Sequence, residues 1–173
     1  QRQMENTRQR YPGCKLPQPY PAVSHPKQDA RTARKLMPLL LGRTGALSRY
    51  IALSYAAAAL GQTVPMLAQT LECLAQTEQM HMSLLLELLG QLDVTPRHAV
   101  VSAAPFTTLA ALSNPIKQIE ALRSLAIAAR KQYEKEATEY AAASPAISQL
   151  LSRLAQDEQH HAALLYHLPK RLG

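Results

Sequence analysis

Leu and other apolar residues recur every three or four positions over much of the chain, and this spacing marks out helices. From Asp29, a residue suited to cap a helix start, the pattern turns helical and runs to Leu60, with Pro38, Gly42 and Gly45 as kinks or a break. Gly61-Gln62-Thr63 ends that segment. Pro65 then suits the first turn of a second helix, which runs to about Leu92. Pro115 opens a third helix ending near Ala142, and Ser144-Pro145 makes a tight junction to a fourth, which runs to about Leu168 before Pro169. The connection over 93–114, with Pro96, Pro105 and several Ser and Thr, is too long for a simple turn. Residues 1–28 lack the helical period and carry Pro12, Pro17, Pro19, Pro21 and Pro26, which reads as an extended Pro-rich arm. The expected organisation is an arm over 1–28 and an all-α domain over 29–173. That domain is a four-helix bundle with one long crossover between the second and third helices.

Polar residues interrupt two of the apolar stripes in the same way. The seam of the second helix is Leu71, Leu74, Glu78, His81, Leu85, Leu88 and Leu92; that of the fourth is Ile147, Leu151, Leu154, Glu158, His161, Leu165 and Leu168. Residues 74–81 read Leu-Ala-Gln-Thr-Glu-Gln-Met-His and residues 154–161 read Leu-Ala-Gln-Asp-Glu-Gln-His-His, six identities in eight at an offset of 80. Such a repeat implies two helical hairpins of related design. Each Glu-x-x-His puts a carboxylate and an imidazole on one helix face, a turn apart. A buried carboxylate without compensation costs several kcal/mol, on the order of a lost buried ion pair. A metal ion is the most economical compensation, since it takes both the oxygen and the nitrogen. The plain alternative for each pair is a surface or hydrogen-bonded core residue.

Composition sharpens this picture. Hydrophobic residues make up 47% of the 173, yet only 5% are aromatic and there is no Trp, so the apolar content is mostly Leu and Ala and strands are disfavoured. Two cysteines, Cys14 and Cys73, are too few for a disulfide scaffold, and with no secretory signal in view both are expected as free thiols in a cytoplasmic protein. No apolar run reaches the length of a membrane span. The net charge of +7 is local: residues 1–50 hold ten Lys and Arg against Glu5 and Asp29, and the remainder is close to neutral. Nucleic acid is therefore not expected as a partner, because these positives are diluted among prolines; DNA contact through the basic arm stays as an alternative. A homo-oligomer is expected. No phosphate loop, nucleophile elbow or Cys-x-x-Cys pair is present.

The paired motif resembles that of the ferritin-like di-metal carboxylate proteins, nearest to rubrerythrin-type and manganese-catalase-like members, over roughly residues 33–168. Leu-Pro-Gln-Pro-Tyr-Pro at 16–21 is similar to the lead-in of small bacterial members. The resemblance implies a ferritin-like fold, oxygen or peroxide chemistry, and Glu78, His81, Glu158 and His161 on ligand positions. In that family the first and third helices each supply one more Glu. Here no Asp or Glu stands between Asp29 and Glu72, and matching Leu-Gly-Arg-Thr-Gly-Ala-Leu at 41–47 to the family pattern puts Ala46 on the ligand slot. The offset of 80 carries that slot to Ala126.

With both outer carboxylates replaced, the expected centre is reduced: one Fe, Mn or Zn ion, or none. Arg49, one turn beyond Ala46, is a candidate substitute for metal if it points inward; a kink at Gly42 or Gly45 would turn it to solvent. Asp157 and His160 are expected to point away from the site. Tyr50, Tyr55 and Tyr133 could line a nearby pocket, although packing is the commoner role. Two functions follow from these residues. One is a metal-binding protein with low or lost oxygen or peroxide activity; the other is a non-enzymatic assembly protein whose former metal site is closed by Arg49 or by hydrogen bonds.

Overall fold

The computed structural model describes residues 19–23, Arg34, Leu36, Pro38, Leu39, 65–92 and 115–168. Three complete helices lie in this set: α1 (Pro65–Gln91), α2 (Pro115–Tyr140) and α3 (Pro145–His167), the second, third and fourth of the expected series. Arg34, Leu36, Pro38 and Leu39 are helical as well, and among the described residues there is no strand. The rest of the expected first helix, the 93–114 connection and the expected boundary between arm and domain lie outside the described residues.

Proline opens each of the three helices, where its missing N–H costs nothing because that donor has no partner within the helix. The α2–α3 junction is closed by local bonds. Ser144 N–H donates to Tyr140 O at 2.9 Å and Ala141 N–H to Thr138 O at 3.4 Å, while the Ser148 hydroxyl of α3 donates to Ala137 O at 2.6 Å. These bonds satisfy carbonyls that the end of α2 would otherwise leave open. Ser144 itself makes no side-chain cap bond; Pro145 and the Ser148 bond hold the turn.

Every position of both Glu-x-x-His seams is buried, from Leu71 to Leu92 and from Ile147 to Leu168. On α2 the buried stripe is Ile119, Leu122, Ala126, Ala129, Tyr133, Ala137 and Tyr140, a three-and-four spacing that places it against the seam of α3. Leu36 and Leu39 join the same core. Each buried Leu or Ile contributes about 1.5–3 kcal/mol relative to exposure. Residues 19–23 have no regular secondary structure, but Tyr20 and Val23 pack against this core, so this short piece of the Pro-rich segment is docked.

Cys73, on α1, is disulfide-bonded, which corrects the expectation of a free thiol there; Cys14 lies outside the described residues. Disulfides persist in oxidising surroundings, so the expected reducing location draws no support from Cys73. None of the described helices is long and apolar enough to cross a membrane.

Gly90 sits exposed near the end of α1, and a Cβ added there would meet nothing within 4 Å. Gly90→Ala should therefore stabilise the protein by about 0.5–1 kcal/mol, by lowering the freedom of the unfolded chain. A urea midpoint raised at unchanged slope is the result to look for.

Candidate metal centre

The two Glu-x-x-His pairs meet where α1 packs on α3. Glu78, His81 and Glu158 are 0% exposed and His161 is 2%. The pairs cross: His161 Nδ1 lies 3.3 Å from Glu78 Oε1, and His81 Nδ1 lies 3.4 Å from Glu158 Oε1. His161 Nδ1 also lies 3.6 Å from Glu158 Oε2 on its own helix. The two imidazole planes are nearly parallel, 8° apart, with centroids 6.3 Å from each other. Each helix therefore offers its carboxylate to the other helix's histidine.

One ligand atom each from Glu78, Glu158 and His161 lies within 4.8 Å of the others. One ion could gather them with small side-chain movements. A mixed oxygen and nitrogen set of this kind suits iron, manganese or zinc. His81 stands beside this group. Its Nδ1 is buried, makes no hydrogen bond and faces Glu158, so a fourth donor is at hand.

The other nitrogen of His81 is committed. Nε2–H donates to Asp157 Oδ2 at 2.8 Å, since a carboxylate can only accept. The expectation that Asp157 points away from the site is thus corrected. One residue before Glu158, it lies about 100° round the helix, enough to reach the flank of α1 rather than solvent. Tyr20 of the arm donates its hydroxyl to the same Asp157 oxygen, and Arg153 Nε lies 3.6 Å from Oδ1. The Arg153 guanidinium covers the Tyr20 ring at 5.2 Å. Tyr20 and Tyr133 both meet the His81 ring edge-on, with centroids at 6.1 and 6.0 Å.

Tyr133 is therefore a wall of the site, as one of its expected readings had it. Tyr20 and Asp157 were not expected there. A signal for Asp157 exists in the repeat, which breaks at Thr77 and Asp157: Thr77 turns its hydroxyl to the Cys73 carbonyl at 3.3 Å, while Asp157 reaches across to His81. Tyr20 has no such signal beyond its place in the Pro-rich run.

Burial opposes a charged imidazole at both histidines, yet the surrounding carboxylates outweigh it. His161 is pushed up to about 10, chiefly by Glu158 and Glu78, and His81 is raised by Asp157, Glu158 and Glu78. Burial would also raise Asp157, but hydrogen bonds from His81 and Tyr20 hold its carboxyl below the usual range. The Tyr20 hydroxyl is raised, first by burial and then by Asp157, so it remains a donor.

His160 is exposed, as expected. Ala126 is buried at 1% on the inward stripe of α2. Ala46, Arg49, Tyr50 and Tyr55 lie outside the described residues.

A helical protein with paired Glu and His donors buried between two helices has the form of the ferritin-like superfamily. The chain belongs to the rubrerythrin family within it, whose family model matches residues 45–169. No curated protein and no solved structure matches the chain.

Proposed function

We propose that this protein binds a single Fe, Mn or Zn ion through Glu78, Glu158 and His161, with His81 Nδ1 as the fourth donor. The observation that carries this reading is the buried Glu78–Glu158–His161 group with its ligand atoms within 4.8 Å. When bound, the ion would supply Lewis-acid chemistry and, for iron or manganese, electron transfer. Two carboxylates rather than four surround the site if Ala46 and Ala126 occupy the outer ligand slots, which favours one ion over two and low or lost oxygen or peroxide activity.

The residues themselves set how metal enters. Glu158 and Glu78 raise the proton affinity of His161, so an ion must displace that proton. Apparent affinity for Zn²⁺ should then rise by at least about tenfold per pH unit between pH 6 and 7.5, where proton and metal compete for the same nitrogen. Calorimetric titration of the chelator-stripped protein should give one ion per chain and this slope. Glu78→Ala should remove binding. Absence of any bound Fe, Mn or Zn after reconstitution would overturn the reading.

A second reading has an observation of its own. The charged imidazole of His161 between Glu78 and Glu158 compensates these carboxylates without metal. A protein closed in this way would serve in assembly rather than catalysis, and it would fail the titration above.

A further inference from the structure

We propose that the N-terminal arm is a working part of the metal site: Tyr20, acting through Asp157, positions His81 so that Nδ1 is presented beside Glu78, Glu158 and His161. The proposal rests on the metal-binding reading, and it concerns how one donor is held rather than whether an ion binds.

Tyr20 and Asp157 are 137 residues apart in sequence, yet the tyrosine hydroxyl lies on the same carboxylate oxygen that accepts His81 Nε2–H. Arg153 meets the other oxygen. The carboxylate is thus held from three directions and cannot rotate without losing a partner. An imidazole with one nitrogen fixed in this way presents the other in a set direction. Here that nitrogen is fully buried, makes no hydrogen bond and looks toward Glu158 at 3.4 Å. The edge-on rings of Tyr20 and Tyr133 also oppose a ring flip.

Thr77 stands at the position equivalent to Asp157 and spends its hydroxyl on the backbone of its own helix. Nor is Tyr20 placed by helix periodicity. Pro19 and Pro21 restrict the backbone on either side of it, so the ring is delivered by a stiff, extended segment.

Zn²⁺ titration of the full chain, combined with imidazole ¹⁵N spectra in the metal-free and Zn²⁺-loaded states, tests this. Tyr20→Phe keeps the ring and removes the hydroxyl. It should weaken Zn²⁺ binding about tenfold and shift the His81 signals while those of His161 stay in place. Asp157→Asn should weaken binding by about 10–100-fold. The double variant should be no weaker than Asp157→Asn alone, because Tyr20 acts through that carboxylate. Equal affinity with unshifted His81 signals in Tyr20→Phe would overturn the proposal while leaving the metal site standing. Additive losses in the double variant would overturn it too. A parent chain that takes up no Zn²⁺ would remove the metal-binding reading and this inference with it.

Discussion

Glu158→Ala is expected to cost the metal-free protein about 3–5 kcal/mol, a large share of the stability of a single domain. Glu158 is the carboxylate that both histidines share: Oε1 lies 3.4 Å from His81 Nδ1, and Oε2 lies 3.6 Å from His161 Nδ1. Removing it leaves two buried imidazoles, both with raised proton affinity, and takes away a counter-charge that neither can replace from solvent. Such a loss exceeds that of the missing contact alone, because the remaining groups keep their desolvation cost. Glu158→Gln keeps the volume and one acceptor, so it should fall between parent and Ala. Urea unfolding at pH 7 with chelator present measures both. With Zn²⁺ at about 100 times its Kd, the parent should gain about 2.7 kcal/mol and Glu158→Ala nothing. A Glu158→Ala variant as stable as the parent would show that this carboxylate carries little of the balance at the site.

Much of this arrangement was legible because its signals are local. Burial at three-and-four spacing made both seams visible, and the Glu-x-x-His pairs stood out because they break an aliphatic stripe at equivalent places. Pro65, Pro115 and Pro145 marked helix starts for a similar reason, since proline suits only the first turn. What escaped was non-local. Tyr20 belongs to a stretch with no period, and nothing near it in sequence indicates a contact with Asp157. Asp157 carried a weak signal, one of two mismatches in an otherwise matching eight-residue phrase, but a carboxylate next to a seam position is ordinarily solvated. Its reach to His81 depends on how α1 and α3 pack, which spacing along one helix does not fix. The bonded state of Cys73 has no local signal either, because it depends on a partner and on the surroundings rather than on the place of the thiol along a helix.

A chain in which Leu replaces Glu78, His81, Glu158 and His161 together should keep its helices, bind no metal, and equal or exceed the parent in stability by up to about 4 kcal/mol. The flanking seam positions, Leu74, Leu85, Leu154 and Leu165, are already buried aliphatics, so four more extend a core of the same kind. The cross-helix Glu–His separations of 3.3 and 3.4 Å are longer than the roughly 2.7–2.9 Å of a good charge-assisted hydrogen bond, so these two contacts offset only part of the desolvation, while His81 also holds Asp157 at 2.8 Å. Removing all four groups takes away most of the cost and the compensation together and leaves Asp157 to Tyr20 and Arg153, whereas Glu158→Ala removes one carboxylate and leaves both histidines buried. Urea unfolding at pH 7, read as a midpoint at constant slope, decides the matter. A gain would mean that the four residues are kept for what they bind. A loss of more than about 2 kcal/mol, well outside the expected range, would mean that the ion pairs hold the helices together, and would move the balance to the assembly reading.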